Sequence, residues 1–259
     1  MWAFPSEFFA FPLNLIFLAL WIVGCVLLWT HCRKTLLVRF LLAPAGTFFS
    51  IGLFSVLCLV IGFTGFRSLA GSWISVVISL FLQTVLLFVI MRGWRRTTAS
   101  GARLGAVRWR FLILHVGLLV AVGSAFWGAP DTRTLRMKAY VGVPSNEAYF
   151  MDGRQTWLPY DILLREFDVQ EYDNGVPAAY KALVEVDGVP AEIQVNDPYG
   201  HGLGVDVYLV GYDAAMRADS QYCILEIVRE PWKHVTVVGI VMLLFGAVLL
   251  FVGGPDRRR

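Results

Sequence analysis

The sequence has few charged residues and few cysteines, and each shortage excludes a class of protein. Asp, Glu, Lys and Arg make up 16% of its 259 residues, whereas 57% are hydrophobic. A soluble domain of this length would carry more charge. The four cysteines have no C-x-x-C spacing, so the ligands of a thioredoxin-like redox pair and of a zinc site are lacking. No Ser-His-Asp order, paired-carboxylate motif or Gly-rich phosphate loop is evident, so we nominate no catalytic residue.

The hydrophobic residues are concentrated in stretches that are long enough to cross a bilayer, for which a helix needs roughly 20 apolar residues. Five such stretches occur, at about Phe11–Trp29, Thr47–Phe66, Trp73–Met91, Phe111–Gly128 and Val235–Val252. The first is not typical of a signal peptide, because basic residues follow it rather than precede it. The sequence therefore predicts a membrane protein with an all-α transmembrane bundle of five helices.

Lys and Arg are distributed unequally between the connecting segments, which predicts an orientation. Basic residues follow the first, third and fifth spans, namely Arg33, Lys34, Arg39, Arg92, Arg95, Arg96, Arg103, Arg108, Arg110, Arg257, Arg258 and Arg259. No base precedes the first span, and the short loop after the second has only Arg67. The positive-inside rule then places the N-terminus outside and the C-terminus in the cytoplasm. The basic loops thus indicate topology, and we expect no nucleic-acid partner.

A polar segment of about a hundred residues, 129–231, separates the fourth and fifth spans and must lie outside in this scheme. It contains 17 acidic and 8 basic residues. We therefore predict three parts: residues 1–128 with four transmembrane helices, 129–231 as an extracytoplasmic β-rich domain, and 232–259 with the fifth helix and a short basic tail. Cys223 would be the one outer cysteine, and hence either free or buried.

Alternating apolar and polar residues indicate strands over residues 155–230. Asp187-Gly188 separates two alternating runs, which is a hairpin signal, and period two places Val184, Val186, Ile193 and Val195 on one face. Asn174-Gly175 and Asp197-Pro198 have the chemistry of turns. We predict a small antiparallel β domain, as a sheet or a sandwich, between helices four and five.

His115 is a lone imidazole in the apolar run "RFLILHVGLLVAVG". Polar side chains inside a membrane usually face a partner, a cavity or a cofactor. Gly117, Ala121 and Ala125 form a stripe of small residues that lets another helix approach, and His115 lies well away from that stripe around the helix. Either His115 forms a hydrogen bond to a neighbouring helix or it binds a cofactor.

The other three histidines carry weaker signals. His201 lies in the Gly-rich turn "PYGHGLG", which favours an exposed loop histidine. His234 follows Trp232 and Lys233 at the outer mouth of the fifth span, where such a cluster is commonly an interfacial anchor. His31 lies at the inner edge of the first span, and we assign it no function.

Four segments resemble the ResB-like (CcsB) family of system II cytochrome c biogenesis, and they occur in the order found there. The segments are "LHVGLLVAVGSAFWGAPD" (residues 114–131), "LPYDILLREFDVQEYDNGVPAAYKALVEV" (158–186), "IQVNDPYGHGLGVDVYLVGYD" (193–213) and "ILEIVREPWKHVTVVGIVMLLFG" (224–246). Together they extend over more than half of the chain. The Trp-rich haem-handling motif of the family's partner subunit is absent from this sequence.

The resemblance implies a multi-pass protein of the bacterial inner membrane that helps to carry haem across the bilayer and deliver it to apocytochrome c. Its partner would be a CcsA-like membrane protein with the Trp-rich motif, and this chain would be at most an accessory subunit of the haem lyase. His115 matches the membrane histidine of the family, which implies an axial ligand to the iron of haem b in transit. His234 could meet haem as it leaves the bundle.

Two other functions are compatible with the residues themselves. The chain could be a structural or scaffolding subunit of an envelope complex that binds no haem. It could also be a transporter or receptor whose acidic outer domain binds an envelope ligand, although transporters usually show inverted repeats, and none is visible here.

Overall fold

The chain divides into two compact units, Met1–Pro130 together with Trp232–Arg259, and Asp131–Pro231. The computed structural model describes residues 3–65, 67–99, 106–171, 177–213, 216 and 220–252. The turn expected at Asn174-Gly175, Arg103 and the basic residues 257–259 lie outside the described residues.

The first unit is helical. Its elements are a 3₁₀ turn at Ser6–Phe9, then α1 (Leu13–His31), α2 (Leu36–Leu42), α3 (Pro44–Thr64), α4 (Arg67–Ala70), α5 (Trp73–Ala99), α6 (Ala106–Gly128) and α7 (Lys233–Val252). Among the described residues, five helices are long and apolar enough to cross a membrane: α1, α3, α5, α6 and α7. The prediction of five apolar helices is therefore confirmed, with ends that shift by a few residues.

The sequence reasoning missed the short helix α2, which lies between the first two spans. The Thr35 hydroxyl accepts a hydrogen bond from the Val38 N–H and caps its first turn. Ala43 is extended, as a residue before proline prefers, and Pro44 then begins α3 at a position that needs no N–H donor. Val38 of α2 is fully buried and belongs to a cluster of buried side chains that comprises Cys25, Trp29, Val38, Leu41, Val85 and Phe88.

Helices α6 and α7 pack closely because both carry small residues at the contact. A Cβ atom added to Gly117 would lie 2.5 Å from the Leu243 backbone nitrogen, and one added to Gly246 would lie 2.6 Å from the Leu114 nitrogen. A Cβ atom on Gly239 would meet the backbone of Ala121. The stripe predicted on the fourth span is thus a helix contact at Gly117 and Ala121, but Ala125 is exposed and takes no part.

The second unit is an antiparallel sheet of eight strands within the described residues, with the order β5-β4-β3-β2-β1-β8-β7-β6. The strands are β1 (Arg133–Tyr140), β2 (Pro144–Phe150), β3 (Gln155–Glu171), β4 (Pro177–Val186), β5 (Val189–Gln194), β6 (Tyr199–Gly200), β7 (Val205–Tyr212) and β8 (Tyr222–Arg229). Tyr212 of β7 contacts Phe167 of β3 and Tyr180 of β4, with ring centroids 5.2 and 5.1 Å apart. The sheet is therefore curved around its core and is not a sandwich of two sheets.

The hairpin expected at Asp187-Gly188 is present. Both residues have positive φ, 51° and 74°, as the two central residues of a type I′ turn require. The turn expected at Asp197-Pro198 is instead centred on Val195 and Asn196, with Gln194 and Asp197 bonded to each other. Val195 consequently lies beyond the end of β5 and is 39% exposed, so the prediction that it shares one strand face with Val184, Val186 and Ile193 was wrong.

Candidate functional site

His115 lies in α6 with its ring half-buried and stacked on the ring of Phe111, at a centroid distance of 3.8 Å. Its Nδ1 is 2.8 Å from the Phe111 carbonyl oxygen. A carbonyl oxygen can only accept, so Nδ1 carries the hydrogen of this bond. In the neutral ring the lone pair is then on Nε2, the nitrogen that points away from the helix backbone. This is the protonation pattern of metal-binding histidines, in which one ring nitrogen is fixed by a carbonyl and the other binds the metal.

The face of α6 that carries His115 is not the face that packs against α7. His115 precedes Gly117 by two residues, which at 100° per residue places it roughly 160° away from Gly117 around the helix. The α7 contact continues towards the end of α6, where the Ser124 and Thr236 hydroxyls lie 2.9 Å apart. The expected separation of the histidine from the packing stripe is therefore present, and the ring is half-buried.

His234 is exposed in the first turn of α7. The contact of Gly239 with Gly117 and Ala121 fixes the register of α6 against α7. Gly239 is level with Ala121 and Thr236 with Ser124, so His234 is level with Phe126 and, at 1.5 Å per residue, lies about 16 Å from His115 along the helix axes. Two axial ligands of one haem iron are only about 4 Å apart, since each Fe–N bond is about 2 Å. The structure therefore does not bring these two histidines together around one iron.

His201 is not the exposed loop residue that we expected. Its ring is half-buried against Tyr160, with centroids 4.2 Å apart, and its backbone N–H donates to the Val205 carbonyl at 2.8 Å. The glycines around His201 form turns, and its ring lies against Tyr160 of β3. His31 is exposed at the end of α1, where its Nδ1 lies 2.7 Å from the Thr30 hydroxyl.

Sequence reasoning missed a group of polar side chains inside the helical unit. Asn14 and Gln83 are 1% and 0% exposed, and both contact Trp127. Asn14 Nδ2 donates to the Trp127 carbonyl, and Trp127 Nε1 donates to Gln83 Oε1, each at 3.0 Å. The argument that identified His115, a polar residue in an apolar run, applies equally to Asn14 and Gln83 and would have found them.

These contacts join α1, α5 and α6. The pattern continues one residue further along α5, where the Thr84 hydroxyl accepts from Trp21 Nε1 at 3.1 Å. Hydrogen bonds between helices satisfy groups that hydrocarbon would leave unpaired, so this group fixes how the three helices pack. The group thus joins α6, the helix that carries His115, to α1 and α5.

Comparison with known proteins gives one family. The model of the ResB-like family matches residues 88–222, just over half of the chain. The matched residues include all of α6 with His115. Curated protein sequences give no match.

Among solved structures, the chain is similar to "Cytochrome c Heme Lyase CcmF", with a TM-score of 0.45 and 13% sequence identity. The similarity covers 92% of this chain and 44% of that one. The chain thus spans less than half the length of that structure.

Proposed function

The chain belongs to the ResB-like family, and from this membership we propose that it acts in cytochrome c biogenesis, as a membrane subunit that helps haem to cross the bilayer. The observation that supports haem handling most directly is the state of His115. Its Nδ1–H is bound to the Phe111 carbonyl, which leaves Nε2 as the ligand nitrogen.

Haem is the cargo in this proposal, and the residues around His115 suit it. Leu118, Leu119 and Val122 lie on the same face of α6 as the imidazole, so an apolar macrocycle would contact apolar side chains. His115 would hold the iron of haem b through Nε2. His234 is the second candidate contact, at a different depth, for haem that leaves the bundle.

The remaining steps belong to a complex. We propose that the partner is a CcsA-like membrane protein that supplies the Trp-rich motif, and that apocytochrome c receives the haem. The chain would lie in the bacterial inner membrane with its N-terminus outside and its C-terminus in the cytoplasm, so that the acidic sheet faces outward. Thioether formation would belong to the assembled complex.

A second candidate is a scaffolding subunit of an envelope complex that binds no haem. One observation favours it: His115 already has a hydrogen bond and a ring stack within its own helix. The ring is thus held within its own helix without a ligand.

The two candidates differ in the effect of His115→Ala on haem that co-purifies with the full chain and its partner. Loss of even an outer-shell group costs about 10- to 100-fold in metal affinity, so loss of a ligand should lower haem occupancy by about tenfold or more. Added imidazole should restore part of the spectrum, because it can occupy the empty ligand position. Helix packing should survive, because the substitution removes a polar group from the membrane.

The matched control is His31→Ala, because His31 is exposed at the end of α1 and outside the proposed path. It should leave the haem spectrum unchanged. A full haem spectrum with unaltered axial-ligand bands in His115→Ala would exclude the ligand role and favour the scaffold.

A further inference from the structure

A cavity of about 600 Å³ lies at the end of the helical unit where α1 ends and α3 begins. Among the described residues that line it are four arginines, Arg33, Arg39, Arg92 and Arg95, and no acidic residue. The arginines come from α5, from α2 and from the segment after α1. The sequence analysis assigned these residues to topology alone, but topology requires only that they lie on one side of the membrane and does not require a shared cavity.

The guanidinium groups of Arg33 and Arg92 are held in place by contacts with the protein. The Arg33 Cζ lies 4.4 Å from the centroid of the Trp29 ring, and that ring is 7% exposed. Arg92 Nη1 donates to the Leu42 carbonyl at the end of α2, at 2.9 Å. Arginines that are fixed in this way lose less entropy when they bind an anion, and their planar donors match phosphate oxygens in pairs.

Helix α2 borders this cavity and turns large apolar side chains outward. Leu36, Leu37 and Phe40 are 84%, 61% and 40% exposed, whereas Val38 and Leu41 face the interior. Large apolar side chains that are exposed in this way are better accommodated by acyl chains than by water. A ligand bound here would contact both the guanidinium groups and the exposed apolar side chains of α2.

We propose that this cavity binds the phosphate groups of an anionic phospholipid whose acyl chains cover the exposed side of α2. Basic pockets between transmembrane helices are known to accept such head groups. The lining holds four guanidinium groups, which a lipid with two phosphates would pair better than one with a single phosphate. It is not an iron site, because the described lining residues include no imidazole, thiolate or thioether. The proposal does not depend on haem binding.

The test measures binding of cardiolipin to the purified full chain by native mass spectrometry, with phosphatidylcholine as the neutral lipid. We expect cardiolipin to be preferred, and the double variant Arg33→Gln/Arg39→Gln to bind it about 30-fold more weakly, from about 1 kcal/mol for each basic residue. The affinity of Arg33→Lys for cardiolipin should lie between those of the unsubstituted chain and the double variant, since lysine keeps the charge but loses the paired donors. The control is Arg110→Gln, because Arg110 is also basic but lies on α6 and outside the described lining.

Each alternative has its own result. Equal binding of the two lipids, or an equal loss in Arg110→Gln, would mean that the arginines serve topology only and would overturn the proposal. If glycerol phosphate protected the chain against thermal unfolding as well as cardiolipin does, the site would bind free phosphate and not a lipid. If the double variant lost haem but kept cardiolipin, the cavity would bind haem carboxylates instead. Loss of haem in His115→Ala would leave the lipid result unaffected, so the two proposals can fail separately.

Discussion

The contact between α6 and α7 predicts a large effect for the smallest possible substitution, Gly239→Ala. The new Cβ atom would lie 2.8 Å from the Ala121 Cα and 3.0 Å from the Gly117 carbonyl oxygen. Carbon atoms pack at about 3.5–4.0 Å, so the helices would have to separate by roughly 1 Å. Both neighbours are backbone atoms, which cannot rotate away as a side chain could.

The magnitude follows from a comparison with Gly24→Ala on α1, where a Cβ atom meets nothing within 4 Å. Both substitutions gain the same helix propensity from alanine, so the difference between them isolates packing. Overpacking of a close contact costs about 1–3 kcal/mol. We therefore expect the folding equilibrium of Gly239→Ala to fall about 5- to 150-fold relative to Gly24→Ala.

Equilibrium unfolding of the full chain in mixed micelles, followed by far-UV circular dichroism, gives the two free energies. If Gly239→Ala were as stable as Gly24→Ala, the helices would not be in close contact at Gly239, and the register used to separate His115 from His234 would be wrong.

Two further predictions concern the sheet and its side of the membrane. Burial raises the pKa of Cys223 to about 12, so the thiol keeps its proton in the folded chain after the unfolded chain has lost it. The free energy of unfolding should therefore fall as the pH rises from about 9 towards 12, and this decline should be smaller in Cys223→Ala. At pH 8, iodoacetamide should modify Cys223 far more slowly in the folded chain than in denaturant, and equal rates would contradict its burial. Topology reporters should be active outside when inserted at Asn196 and inside when fused after Arg96, and a cytoplasmic signal at Asn196 would reverse the proposed orientation.

The membrane helices could be predicted from the sequence because an apolar stretch of the right length has few alternatives in a bilayer. The hairpin at Asp187-Gly188 could be predicted for a similar reason, since few dipeptides tolerate two consecutive residues of positive φ. In both cases a local requirement determined the structure.

The strands β1 and β2 were missed by the sequence analysis; β1 does alternate, but its pairing cannot be predicted from that pattern. In β1 only Met137 and Ala139 are buried, and charged residues such as Arg136 and Lys138 alternate with them. Arg136 lies outward and pairs with Glu226 on β8, with Nε and Oε2 2.8 Å apart. The strand is held by a partner that is distant in sequence, which local alternation does not reveal.

The site shows the same division. The faces of α6 followed from 100° per residue, so the separation of His115 from the small residues was predictable. The hydrogen bond between His115 Nδ1 and the Phe111 carbonyl depends on the rotamer of His115. The contacts of Asn14 and Gln83 with Trp127 depend on the packing of three helices. The contact of the His201 ring with Tyr160 requires β6 to lie near β3, which the turn residues alone do not determine.

The pairing of the first strand with the last determines when the protein can complete its assembly during synthesis. Arg133 of β1 is opposite Arg229 of β8, about a hundred residues later in the chain. At roughly 5–20 residues per second, translation of that interval takes about 5 to 20 seconds. Until then β1 lacks one of its two neighbours, and the glycine face of α6 has no α7 to contact. Both contacts become possible within moments of each other. A nascent chain that stalls before β8 therefore exposes an unpaired strand edge and an open helix face together, and such surfaces are prone to aggregate.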